Sequence, residues 1–119
     1  MKFKIEDLLG MKAALERLVQ IKLPVKVAYR TAKNTRLIMQ ELKDFDIARL
    51  KAAQEFGTTD DGMNFKFDDL ENRKKFSDAM TTLLAQEIEL DLMATSLAEL
   101  GEVQLEAAIL ADLHQLITE

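Results

Sequence analysis

Five cations recur between residues 22 and 36, at Lys22, Lys26, Arg30, Lys33 and Arg36, in steps of 4, 4, 3 and 3. On an α-helix those steps bring the side chains onto one continuous stripe. A stripe of five charges suits an acidic protein surface, a small phosphate-bearing ligand or a nucleotide. It falls in the first turns of a long helical segment, where the macrodipole disfavours each cation by roughly a few tenths of a kcal/mol. That local cost points to a partner for the stripe. Three carboxylates, Glu87, Glu89 and Asp91, alternate with Ile88, Leu90 and Leu92, so they share one face of a strand. They are candidate binding residues for the same stripe, within the fold or between subunits. As metal ligands they are too dispersed, spanning ~13 Å of strand.

Other constellations are weaker. Setting Gly62 at the sixth position of an EF-hand loop puts Gly57 first, where an oxygen ligand is needed, and Asp68 last in place of the bidentate Glu. The segment Thr58–Asp61 therefore reads as a solvated turn. His114 is the one histidine and has no nucleophile near it in sequence. The chain has no Cys and no Trp, which excludes disulfides, thiolate chemistry and sulfur-ligated zinc. No Gly-rich phosphate loop or nucleophile elbow occurs. Neither catalytic residues nor a metal or other cofactor are expected. A pI near 5.0, with Tyr29 as the sole aromatic in the stripe, argues against nucleic acid as the ligand.

The net charge of −5 conceals an asymmetry. Residues 1–53 carry 12 basic and 6 acidic groups, residues 54–86 carry 4 and 7, and residues 87–119 carry 0 and 8. With 119 residues, 48% of them apolar and 31% charged, a single globular domain over 1–119 is expected. No signal-peptide pattern opens the chain and no stretch approaches a membrane span, so the expected location is the cytoplasm.

The elements that position these residues follow from periodicity. Lys2–Ile5 and Glu87–Leu92 alternate with period 2 and match each other, with Phe3 and Ile5 beside Ile88, Leu90 and Leu92, and lysines facing carboxylates. An antiparallel pairing of 2–5 with 87–92 is predicted, and Asn64–Phe67 reads as strand or loop. From Asp7 to about Ile21, Leu8, Met11, Leu15 and Leu18 form a helical stripe. Pro24 opens a long segment that Gly57 closes, with Ala28, Ala32, Thr35, Met39, Leu42 and Phe45 marking its inner face. Over residues 24–56 it would span ~50 Å, against a radius of gyration of ~13–14 Å for a domain this size. It must protrude, pack in an oligomer, or break near Asn34-Thr35 or Asp44–Asp46. A helix over 69–86, capped by Asp68 or Asp69, carries Leu70, Phe76, Met80, Leu83 and Leu84. Ser96 and Glu99 fit a capping box on a single turn. A last helix, about Val103–Ile117, has Leu105, Ala108, Ile109, Leu113 and Leu116 on one face, widened by Ala107, Leu110 and Ile117, and is expected mostly in the core. The fold class is α+β, mainly helical, with about four helices, one of them long, and a small sheet.

Several landmarks occur together: Leu23-Pro24-Val25-Lys26, Glu41-Leu42, Phe56-Gly57 and a polar insert, Asn72-Arg73-Lys74-Lys75-Phe76, Leu83-Leu84, Glu87-Ile88-Glu89-Leu90-Asp91, then Leu110 and Leu113 before an acidic C-terminus. In this order they resemble a family of small proteins of unknown function encoded by tailed bacteriophages and prophages. The resemblance covers nearly the whole chain. It implies a phage origin and a role in the bacterial cytoplasm or the virion, and transfers no site residues. The expected function is non-catalytic protein–protein binding, as an assembly factor or a modulator of a host protein. Two alternatives stand beside it: binding of a small anion or nucleotide by the helix face 22–36, and a homo-oligomeric structural component.

Overall fold

The computed structural model describes residues 1–59, 61–62 and 64–119. The chain runs β1 (Lys2–Lys4), α1 (Ile5–Leu18), α2 (Val25–Phe56), α3 (Leu70–Ala85), β2 (Glu87–Glu89), β3 (Thr95–Ser96), α4 (Leu97–Leu100), α5 (Ala107–Asp112) and β4 (Ile117–Thr118). It is α+β and mainly helical, as predicted.

β1 pairs antiparallel with β2, setting Lys2 against Glu89, Phe3 against Ile88 and Lys4 against Glu87. This is the predicted pairing, shortened at both ends. Ile5 opens α1 because the Asp7 carboxylate accepts the Lys4 amide at 3.2 Å and starts the first turn. On β2 the ladder gains one more bond, from the Leu90 amide to the Met1 carbonyl, before the chain turns away.

α1 ends at Leu18, three residues before its predicted limit, and the Ile21 amide closes a turn on the Leu18 carbonyl. Pro24 then caps α2, whose Ala28 amide donates to the Pro24 carbonyl at 2.9 Å. α2 runs unbroken for 32 residues, ~48 Å at 1.5 Å per residue. The molecule is accordingly elongated, 53 × 27 × 23 Å, with a radius of gyration of 17.4 Å. The helix therefore runs along the long axis of the molecule and does not break.

The inner face of α2 differs from the predicted one. Val27, Thr31, Asn34, Ile38, Leu42 and Phe45 are buried, while Ala28, Ala32 and Met39 lie on solvent and Thr35 is half-buried. Two polar side chains occupy core positions because each is satisfied there. The Thr31 hydroxyl donates to the Val27 carbonyl at 2.8 Å. Asn34 donates from Nδ2 to the Met93 carbonyl at 2.9 Å and accepts the Met93 amide on Oδ1 at 2.8 Å. It thus ties the segment after β2 to the middle of α2.

After Gly57 the chain forms one antiparallel bridge, Thr58 to Lys66, in place of a third strand. Gly57 is required by space: a Cβ there would lie 2.9 Å from both the Ala53 carbonyl and the Phe67 ring. Asp69 caps α3 through its carboxylate, which accepts the Glu71 amide. Phe76 stacks on Phe67 at a centroid distance of 4.5 Å. Leu70, predicted to face the core, is 76% exposed at the first position of α3. No residue of α3 is fully buried. Its Met80, Leu83 and Leu84 rest half-buried against the core.

Ser96 and Glu99 make the predicted capping box on α4. The last predicted helix is corrected. α5 spans six residues, and residues 117–118 form β4, parallel to β3. The Thr95 amide donates to the Leu116 carbonyl at 2.8 Å, a non-local bond that draws the backbone out of helical geometry. Ile109, Leu113 and Leu116 still enter the core, while Leu105 and Ile117 only flank it and Ala107, Ala108 and Leu110 are exposed. The core centres on α1, from Phe3, Ile5, Leu8, Met11 and Leu15, closed by Ile38, Leu42, Leu92, Ile109, Leu113 and Leu116.

Candidate functional site

α2 carries four of the five stripe cations, Lys26, Arg30, Lys33 and Arg36, while Lys22 lies in the extended link before it. Arg30 is the member turned toward the fold. Its guanidinium bonds Glu99 of α4 at 2.5 Å, with both side chains partly shielded. The Ser96 amide, and after it Arg30, hold the Glu99 carboxyl below the ordinary carboxylate range. Lys22, Lys26 and Arg36 are exposed and Lys33 half-exposed, and among the described residues none of these four has an ion pair.

The predicted acidic partners are elsewhere. Glu87 and Glu89 sit across the sheet from Lys4 and Lys2. The N-terminal ammonium bonds Glu89 at 2.7 Å and, by that bond and its charge, lowers the Glu89 pKa, with Lys2 adding to the effect. Asp91 lies exposed beyond the end of β2. The structure thus brings Glu87 and Glu89 to the lysines of β1 and leaves the stripe cations of α2 other than Arg30 without them.

The outward face of α2 holds a second feature that periodicity analysis overlooked. Val25, Tyr29, Ala32, Arg36, Met39, Lys43, Ile47, Leu50 and Gln54 follow one another in steps of 4 and 3, opposite the buried face. That is the 3.6-residue repeat of a straight helix, so they form one line. Its apolar members lie on solvent: Val25 is 85% exposed, Tyr29 62% and Ile47 56%, with Met39 and Leu50 less so, at 39% and 38%. The signal was present as two interleaved stripes on one helix, and taking Ala32 and Met39 into a single inner stripe hid it. Tyr29, Ala32, Lys33 and Arg36 bound a shallow depression on this face.

Elsewhere the chemistry is sparse. His114 is exposed and its Nδ1 is 2.9 Å from the Ala111 carbonyl oxygen. In the turn after Gly57, Asp61 accepts from the Asn64 amide and side chain and from the Thr59 hydroxyl, which directs its carboxylate into its own loop. Asp60, also part of that predicted turn, lies outside the described residues. Among the described residues, no group of three or more His, Asp or Glu is placed to hold a metal ion. No helix among them is long and apolar enough to cross a membrane. Comparison with family models, with curated proteins and with solved structures gives no match.

Proposed function

We propose that this chain is a non-catalytic binding protein that engages another protein through the outward face of α2. The observation that carries this reading is the line of Val25, Tyr29, Met39, Ile47 and Leu50 on solvent along one helix. Single exposed apolar residues are ordinary, but an aligned set is the kind of surface that a partner covers. The unpaired cations beside it add long-range attraction, which raises encounter rates more than final affinity. On the resemblance to phage-encoded proteins, the partner is a virion-assembly protein or a host protein, met in the bacterial cytoplasm.

Affinity capture from phage-infected bacteria tests this reading, with the wild-type chain beside the double variant Met39→Glu, Ile47→Glu. A phage or host protein retained by the wild type and lost by the variant supports it. Equal retention by both overturns it. The depression beside Tyr29, Lys33 and Arg36 favours a second reading, a small anion or nucleotide at that point. A bound ligand raises the melting temperature of the native state, so a nucleotide that does so, and fails on Lys33→Glu, would select the second reading.

A further inference from the structure

We infer that the partner segment is an acidic amphipathic α-helix laid lengthwise on α2. The inference rests on the binding role proposed for this face and names the chemistry of its occupant. From Val25 to Leu50 the line is straight and rises ~38 Å at 1.5 Å per residue, and α2 is unbroken over that distance. A helix fits such a line, with apolar residues of its own at i, i+3 or i+4, and i+7.

The charges select the sign of the partner. The line is interrupted at Arg36 and Lys43, both cations, and Lys26, Lys33 and Lys51 run along one margin. Between Val25 and Lys43 no carboxylate lies on the face or its margins, since Glu41 is half-buried on the opposite side, where it lines a cleft with Ile5, Phe45 and Gln86. Beyond Lys43, Asp44 is exposed on the margin that carries Lys26, Lys33 and Lys51, and Asp46 is engaged by Arg49 at 3.6 Å. A partner helix with Glu or Asp beside its apolar stripe meets Lys33, Arg36 and Lys43 directly, in partly desolvated pairs that favour it over a neutral or basic helix.

A second copy of the chain is the poorer occupant. Parallel pairing sets Arg36 on Arg36 and Lys43 on Lys43. Antiparallel pairing about the point between Met39 and Gln40, the register that sets Tyr29 on Leu50 and Ala32 on Ile47, sets Arg36 against Lys43 twice. Like charges opposed at a seam are destabilising. Nucleic acid makes use of the cations but not of Val25, Met39, Ile47 and Leu50, because phosphate contacts and base stacking have no place for a 3.6-period aliphatic line.

The test uses the full chain and two synthetic helical peptides of α2-matching length, identical in their apolar heptad positions, one flanked by Glu and one by Lys. Affinity is read by fluorescence anisotropy and the binding face by methyl and amide shifts. The Glu peptide is expected to bind, to shift Ala32, Met39 and Ile47, and to lose at least about tenfold in affinity on Arg36→Glu with Lys43→Glu, a variant that gains affinity for the Lys peptide. Equal binding of both peptides, or no binding of the Glu peptide at millimolar concentration, overturns the inference. So does sedimentation as a dimer that Ile47→Glu dissociates, which assigns the face to a second copy, or displacement of the same methyl signals by a thymidine oligonucleotide. Should capture from infected cells depend on Met39 and Ile47 while the Glu peptide fails, the binding role stands and this inference alone falls. Should capture ignore those residues, both fall.

Discussion

Asn34→Ala is the substitution that most directly probes how the segment after β2 is fixed. Asn34 is 4% exposed and makes both hydrogen bonds to the Met93 peptide groups, at 2.9 and 2.8 Å. Two neutral hydrogen bonds contribute ~1–3 kcal/mol net, with a further penalty where a buried peptide group is left unpaired. Alanine returns about 0.5 kcal/mol of helix propensity at this interior position. The balance is a loss of about 2 kcal/mol, or roughly 8 °C in Tm at about 4 °C per kcal/mol for this size. Urea denaturation with an unchanged m-value measures it, and hydrogen exchange should show the Met93 amide losing protection. Asn34→Asp sharpens the test. It keeps the acceptor for the Met93 amide but turns a carboxylate oxygen toward the Met93 carbonyl, so its folded pKa lies above its unfolded one. The native state then binds the extra proton, and the deficit relative to wild type is full at neutral pH and shrinks as pH falls through the folded pKa. An Asn34→Ala protein within about 0.5 kcal/mol of wild type would refute the argument that this side chain pins the segment.

Three further outcomes follow from the same structure. Gly57→Ala should destabilise by about 1–3 kcal/mol through overpacking, since its Cβ meets the Ala53 carbonyl and the Phe67 ring at 2.9 Å; denaturant midpoints check this, and a neutral result would mean the bridge after α2 yields freely. Glu99 titrates below its usual range because of the Ser96 amide and then Arg30, so its stabilising contribution is present above the unfolded carboxylate pKa and lost as pH falls through the folded one; a carboxyl-carbon titration should move upward in Arg30→Met, and an unmoved midpoint would sink the pairing. Met39→Glu with Ile47→Glu should leave the denaturation midpoint within about 0.5 kcal/mol per site, because both residues lie on solvent; a large loss would mean that the face is already packed against something in the free protein.

What the sequence shows and hides divides along the range of the forces involved. Local signals were sufficient for the limits of α2, where Pro24 and Gly57 punctuate the chain, and for the Ser96–Glu99 box, whose two partners are three residues apart. The β1–β2 pairing was also legible across the 82 residues between Lys4 and its partner Glu87, because two short alternating segments complement each other in both hydropathy and charge. The inner face of α2 was not legible. Asn34 reads as a possible break in the helix until its hydrogen-bond partner is known, and Met93 is 59 residues away from it. The same holds for α5 and β4, where apolar spacing is helical but the Thr95–Leu116 bond decides the backbone. In the candidate site the cations were found from spacing alone, while Arg30's removal from the set by Glu99 needed the fold.

The two stripes of α2 explain each other on the proposed reading. A helix with a continuous aliphatic line on its outer face would associate with its own kind, and its free form would be a liability in solution. Arg36 and Lys43 interrupt the line where self-pairing would bring them together, and a bare hydrophobic contact cannot form over either one. The same two charges cease to be a penalty when the arriving helix carries carboxylates, so one feature both keeps the free chain apart from its copies and discriminates among partners. Placing three unpaired cations, Lys26, Lys33 and Arg36, in the N-terminal half of α2 works against its dipole, most at Lys26 in the first turn, and Pro24, the Phe3–Leu116 core and the Asn34–Met93 tie hold the helix that carries them. On the proposed reading, the stability of the inner face is thus the condition for an outer face that binds.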